Sequence, residues 1–128
     1  MRNEQRLLRQ RLFGSDSIGC CAICGKEFPV QLIVAAHVKR RAECGDGERR
    51  DFHNVVAMCR MGCDELFERG IIAVDQGQVV VREAFPFTSI VKRYVASLRG
   101  RRCGAYSPDS EAFFDWHFRQ HQPVDEPA

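Results

Sequence analysis

The sequence predicts a small α+β domain, and three observations support this prediction. Two apolar stretches rich in β-branched residues, QLIVAAHV and NVVAMC, are typical of short strands. Segments with apolar residues at helical spacing flank them on both sides, and two close pairs of cysteines bracket them. With 128 residues, of which 45% are hydrophobic and 28% charged, the chain is expected to fold as one domain over residues 1–128.

The first half of the chain divides into a helix, a cysteine turn, two strands and a second helix. NEQRLLRQRLF predicts a helix that ends at Gly14, and its apolar side is expected to hold Leu7, Leu8, Leu12 and Phe13. CCAICGKEF is typical of a tight turn, and RRAECGDGERRD is expected to be a polar loop between the two strands. CDELFERG predicts a helix that ends at Gly70.

The second half predicts a hairpin followed by two helices. IIAVDQGQVVV has two apolar runs around a DQGQ turn, which is typical of a β-hairpin. SIVKRYVASLRG predicts a helix that ends at Gly100, and residues 108–121 predict a last helix rich in aromatic residues. His117 and His121 are four residues apart on that helix, a spacing that can bind metal, but an exposed helix face is the expected explanation.

Charge and hydropathy indicate which partners the protein could bind and whether it could enter a membrane. The formal net charge is only +2, but basic residues cluster in separate stretches. A surface that meets a polyanion requires such clusters, although solvated surface charge gives the same pattern and is the commoner cause. No apolar run approaches the roughly 20 residues of a membrane span, and the arginine-rich start does not resemble a signal peptide. We therefore expect a soluble cytoplasmic protein without a membrane partner.

The cysteines predict a structural zinc site. Cys21 and Cys24 form one close pair and Cys59 and Cys63 another, and zinc commonly takes two ligands from each of two tight turns. Cys20 could replace Cys21 in this set. Two alternatives remain: CAIC as a redox pair, or simple burial of small cysteines.

The remaining cysteines are not part of either pair. Cys44 and Cys103 have no close partner in the sequence and are expected to be ordinary thiols.

The order of these elements resembles that of the HNH endonuclease family. The matching residues are CAIC, AAHV, the asparagine of HNVV, and CDELFERG followed by IIAVD. The resemblance covers about residues 17–75, and FFDWHFRQH looks like the C-terminal segment of some small single-domain members. It implies a ββα-metal (His-Me finger) core held by the structural zinc, with helical and hairpin flanks at residues 1–16 and 76–128.

The resemblance also implies roles for three residues in phosphodiester hydrolysis. His37 matches the general base that activates water, a role that suits a group titrating near neutrality. Asn54 matches the asparagine that orients the loop and the base or contributes to the metal site. Asp64 lies where the family often has its final histidine, and a carboxylate there suits Mg²⁺ or Mn²⁺. Ala36 departs from the pattern, because many members carry a metal ligand at that position, so weak metal affinity without DNA is expected.

Basic residues near His37 predict contacts with nucleic acid, and DNA is the expected partner. Lys39, Arg40 and Arg41 follow the histidine, and Arg49 and Arg50 lie across the loop. Such cations would contact phosphates without reading bases, although solvation of the loop explains them equally well.

Together these expectations describe a metal-dependent endonuclease that hydrolyses phosphodiester bonds in DNA. Two further hypotheses compete with it. A non-catalytic zinc-containing nucleic-acid-binding module would bind without cleaving. A thiol redox protein would have reactive cysteines in CAIC instead of tightly held zinc.

Overall fold

A computed structural model describes residues 3–121 and confirms a mixed α/β fold of short elements. Within these residues, three pairs of antiparallel strands alternate with helices. The elements in chain order are α1 (Asn3–Phe13), β1 (Ile18–Cys20), β2 (Glu27–Pro29), β3 (Ile33–His37), α2 (Asp46–Arg50), β4 (Val55–Cys59), α3 (Cys63–Glu68), β5 (Ile72–Asp75), β6 (Gln78–Val81), α4 (Ser89–Leu98) and α5 (Glu111–Gln120). Single 3-10 turns lie at Val30–Leu32, Arg41–Glu43 and Phe52–Asn54. Residues 1, 2 and 122–128 of the predicted domain lie outside the described residues.

Helix α1 packs against β3 and β4 through a narrower apolar side than predicted. Leu8 and Phe13 are buried and Leu12 is partly buried, but Leu7 is 63% exposed, so its placement on the buried side was wrong. Polar contacts complete the docking, because Arg9 donates to the carbonyl oxygens of Val30 and Ile33, both at 2.7 Å. The helix ends at Gly14 as predicted, where φ is +56°.

The central hairpin joins β3 to β4 with Ala35 opposite Ala57 and His37 opposite Val55. The two strands carry β-branched and apolar side chains that pack into the interior of the protein. Of these, Ile33, Val56 and Met58 are almost completely buried. Helix α3 follows β4 after a short turn. The chain thus runs strand, strand, helix through this region, as predicted.

The segment between β3 and β4 is more ordered than the predicted polar loop. It contains the short helix α2, whose first turn carries Asp46 and Glu48 and whose last turn carries Arg49 and Arg50. This charge order suits the helix dipole. The Gly45 N–H donates to Oε1 of Glu48 at 3.1 Å, which satisfies a donor at the helix start.

The C-terminal half folds as predicted into a hairpin and two helices. Gln76 and Gly77 have φ values of +50° and +86°, the left-handed pair that a tight two-residue hairpin turn requires. Helix α5 packs on β5, and Phe114 is fully buried in the main core with Ile72 and Val74.

In residues 3–121, none of the helices has both the length and the apolar character needed to cross a membrane.

Candidate functional site

Four cysteine sulfurs converge in the main hydrophobic core. Cys21 and Cys24 lie in the turn between β1 and β2, Cys59 ends β4, and Cys63 begins α3. All four side chains are buried, and their Sγ atoms lie within 4.8 Å of one another. Zn–S bonds of about 2.3 Å in a tetrahedron place sulfurs about 3.8 Å apart, so this donor set fits a structural zinc ion.

The surroundings of the cysteines also suit a metal–thiolate site. The backbone N–H of Cys59 donates to Sγ of Cys21 at 3.3 Å, and the Tyr94 hydroxyl lies 3.2 Å from Sγ of Cys63. Burial raises the pKa of Cys24 to about 11, so this thiol would stay protonated without a compensating positive charge. A bound zinc ion supplies that charge and keeps its thiolates deprotonated.

The other cysteines lie outside this cluster. Cys20 is exposed and therefore does not replace Cys21 in the buried set. Cys44 and Cys103 are buried unpaired thiols, as expected.

A cleft of about 270 Å³ lies between β3, α3 and α5. Two residues with predicted catalytic roles, His37 and Asp64, line it together. Its other polar or aromatic lining residues are Arg40, Arg41, Phe67, Glu68, Trp116, His117 and His121.

The geometry of His37 indicates which of its ring nitrogens carries the proton. The residue is half-buried at the end of β3, and its Nε2 lies 3.4 Å from the carbonyl oxygen of Arg49. Because a carbonyl oxygen can only accept a hydrogen bond, this contact favours the tautomer with the proton on Nε2. In that tautomer Nδ1 keeps a lone pair and can accept a proton.

Helix α3 brings two carboxylates to the same cleft. Asp64 is half-buried in the first turn, and Glu68 follows four residues later on the same helix face. Burial raises the pKa of Asp64, and the nearby Glu68 raises it further. Glu68 was not among the predicted site residues, although its i+4 spacing from Asp64 was a usable signal.

Asn54 holds the loop that joins the two central strands. Its side chain is completely buried, and its Oδ1 accepts the backbone N–H of Lys39 at 2.7 Å. Its Nδ2 donates to the carbonyl oxygen of Lys39 at 3.3 Å and lies 3.4 Å from Sγ of Cys44. These hydrogen bonds fit the loop-orienting alternative, whereas the predicted contribution of Asn54, which is not among the residues lining the cleft, to a divalent-ion site stays a prediction.

This arrangement lies within a segment that is similar to a known family. Residues 21–75 match the family model described as HNH endonuclease. The match confirms the predicted resemblance over this segment, and the buried cysteine cluster is compatible with a zinc-containing subgroup. No curated protein matches the chain. The HNH match supports nuclease activity on nucleic acid.

The five basic residues predicted to contact nucleic acid differ in whether they line the cleft. Arg40 and Arg41 line the cleft, whereas Lys39, Arg49 and Arg50 do not. Arg50 instead borders a separate depression between α1 and α2. That these five residues contact the phosphate chain of nucleic acid therefore stays a prediction, and in this geometry Arg40 and Arg41 are the two that line the cleft with His37.

Lys39 and Arg41, two of these cations, form ion pairs within the protein. Lys39 Nζ lies 2.8 Å from Glu48, and Arg41 Nε lies 2.7 Å from Glu4. The hydrogen bonds from Lys39 lower the pKa of Glu48, as expected for a carboxylate that stays charged beside a cation.

Helix α5 corrects the expected exposure of His117. This side chain is only 3% exposed and stacks on Phe67, with ring centroids 3.6 Å apart and 7° between the planes. Its Nε2 lies 2.7 Å from the carbonyl oxygen of Phe67. Burial lowers the pKa of His117 to about 4. Its spacing from the buried Phe113 and Phe114 already indicated this side of the helix.

Proposed function

We propose that this protein is a metal-dependent endonuclease that hydrolyses phosphodiester bonds in DNA, built on a ββα-metal core. One observation carries the proposal: a histidine from β3 and a carboxylate from α3, His37 and Asp64, line one cleft inside the HNH segment. A phosphate in this cleft would meet a base and an oxygen ligand for a divalent ion together.

His37 is the general base in this proposal. With its proton on Nε2, directed at the carbonyl oxygen of Arg49, its Nδ1 can take a proton from the attacking water. Asn54 supports the base indirectly, because it fixes the loop from which the Arg49 carbonyl is presented.

Asp64 is the proposed ligand of a catalytic Mg²⁺ or Mn²⁺ ion, with Glu68 beside it on α3. Two carboxylates suit these oxygen-preferring ions, which keep several water ligands. When bound, the ion would neutralise charge on the phosphate and on the leaving oxygen. Ala36 also lines the cleft but offers no ligand, so we expect weak metal affinity in the absence of nucleic acid.

Arg40 is the cation best situated to contact the phosphate chain. It is exposed and lines the cleft, and Arg41 beside it also bonds Glu4. Contacts of this type hold the backbone without reading bases, so binding should be mostly non-specific and should weaken as salt rises.

A second candidate function is a non-catalytic, zinc-containing nucleic-acid-binding module. Ala36 favours this alternative, since the cleft has no donor where many family members place a metal ligand. The cysteine cluster and Arg40 would remain useful to such a module.

The test is nicking of supercoiled plasmid by zinc-loaded protein, with and without Mg²⁺ or Mn²⁺. We expect metal-dependent nicking that His37→Ala abolishes and that His53→Ala retains. His53 is a matched control because it is exposed, bonds Asp51 and does not line the cleft. DNA binding without cleavage at any ion concentration would favour the binding module, and cleavage by His37→Ala at the wild-type rate would refute the role of His37.

A further inference from the structure

The C-terminal helix brings to the cleft an imidazole that the proposed mechanism does not use. The ring of His117 is fixed on α3 by stacking against Phe67 and by the 2.7 Å contact between its Nε2 and the Phe67 carbonyl oxygen. Because the carbonyl oxygen can only accept, Nε2 carries the proton. The lone pair of this ring therefore lies on Nδ1.

Nothing in the described part of the chain uses that lone pair. Nδ1 of His117 is buried and has no hydrogen-bond partner among residues 3–121. A buried polar atom without a partner costs about 1–3 kcal/mol, and such atoms are uncommon in folded proteins. The stacking on Phe67 accounts for the orientation of the ring plane and the Phe67 carbonyl accounts for Nε2, but neither gives Nδ1 a partner.

The cleft contains groups that would share a cation with this nitrogen. His117 lines it together with Asp64 and Glu68, so a neutral nitrogen donor and two carboxylates border the same space. A histidine that ligates metal through one nitrogen typically donates its other N–H to a carboxylate or a backbone carbonyl. His117 already has the contact between its other ring nitrogen, Nε2, and a backbone carbonyl, that of Phe67.

We propose that Nδ1 of His117 directly ligates the divalent ion of the cleft, together with a carboxylate of α3. The inference rests on the proposed function for the existence of that ion and adds a ligand from α5, outside the matched HNH segment. His117 then supplies a protein donor that Ala36 does not.

The expected ion chemistry follows from this ligand set. Among residues 3–121, the four cysteines are the group in which three or more donor atoms lie within 4.8 Å of one another, so the cleft does not hold a preformed three-ligand cage. Water and phosphate oxygens would complete the coordination, which agrees with weak affinity in the absence of nucleic acid. An imidazole ligand favours transition-metal ions over Mg²⁺, so the cleft should prefer Mn²⁺.

Electron spin echo spectroscopy of Mn²⁺ bound to the zinc-loaded protein tests this proposal. We expect ¹⁴N modulation from a directly bound imidazole in the wild type and in His53→Gln, and its loss in His117→Gln. The affinity for Mn²⁺ should fall about tenfold or more in His117→Gln, the scale of effects seen around metal ligands, while Mg²⁺ affinity changes much less. His117→Phe removes Nδ1 but keeps a ring to stack on Phe67, and it should behave as His117→Gln does.

Several outcomes would overturn the proposal. These are a wild-type spectrum without ¹⁴N modulation, or modulation and Mn²⁺ affinity that persist in both His117 variants. A readout without any variant is NMR of the wild type, in which substoichiometric Mn²⁺ should broaden the ring signals of His117 before those of His53. Equal broadening of the two would contradict direct ligation.

The failure of this inference can be distinguished from the failure of the proposed nuclease. Mn²⁺ bound through His117 without any cleavage would refute the nuclease function and retain the ligand. Metal-dependent cleavage with no nitrogen ligand from His117 would do the reverse.

Discussion

Asn54→Ala should destabilise the protein through the loop that carries the proposed base. The variant removes the acceptor for the Lys39 N–H, held at 2.7 Å, and the donor to the Lys39 carbonyl oxygen at 3.3 Å. One buried group left without a partner costs about 1–3 kcal/mol, and the empty space left by a fully buried side chain adds to this. We expect a total loss of about 2–4 kcal/mol in the free energy of unfolding.

Urea denaturation of the zinc-loaded protein measures this loss. For a domain of this size, about 2–4 kcal/mol should lower the urea midpoint by about 1–2 M. Hydrogen exchange at the Lys39 amide should accelerate in parallel, because its acceptor is gone. The neighbouring His53→Ala is the control, since an exposed side chain usually changes stability by less than about 0.5 kcal/mol. A loss below about 0.5 kcal/mol for Asn54→Ala, with the Lys39 amide still protected, would refute the loop-anchoring argument.

Three further predictions concern zinc, pH and nucleic-acid binding. Cys24→Ser should lose most of its bound zinc and unfold at a lower temperature, whereas Cys20→Ser should keep wild-type zinc content by elemental analysis. Because the folded-state pKa of His117 is lowered from 6.5 to about 4, its contribution is complete above pH 6.5 and is lost as pH falls toward 4. By urea titration without added divalent ion, the wild type should lose up to about 3 kcal/mol more than His117→Gln over that range, and equal losses would contradict this. Arg40→Ala should weaken DNA binding and reduce the slope of log affinity against log salt by about one in filter binding, while Arg102→Ala, exposed and outside the cleft, should not.

Local sequence signals predicted most of the fold because each depended on a short-range physical constraint. Gly14, Gly70 and Gly77 of the DQGQ turn take positive φ values that few other residues adopt readily, so these element ends were readable. The cysteine spacing predicted which four sulfurs meet, since two tight turns can each direct two ligands to one point.

Features that depend on tertiary packing were not readable in the same way. The helical spacing of α1 did not predict that Leu7 would stay exposed. The width of the buried side of a helix depends on how much surface of β3 and β4 packs against it. Helix α2 is too short for a periodic signal. The spacing of His117 from Phe113 and Phe114 indicated its side of α5, but its stacking on Phe67 depends on how α5 docks on α3, a contact between residues 50 positions apart.

The candidate site was predictable for residues whose position in the sequence places them at the end of a strand or helix near the cysteine cluster. His37 and Asp64 lie at the ends of elements that the cysteine cluster holds together, and both line the cleft. The basic residues were less predictable, because the partners of Lys39 and Arg41, Glu48 and Glu4, lie 9 and 37 positions away in the sequence.

The central claim is that His37 activates water for metal-dependent hydrolysis of DNA. Its most direct test is the single-turnover cleavage rate of zinc-loaded wild type and His37→Ala at saturating Mn²⁺, with folding and zinc content matched. We predict that the rate falls by about 10²–10⁴-fold in His37→Ala, the range expected for loss of a general base. Cleavage by His37→Ala at the wild-type rate would contradict the claim.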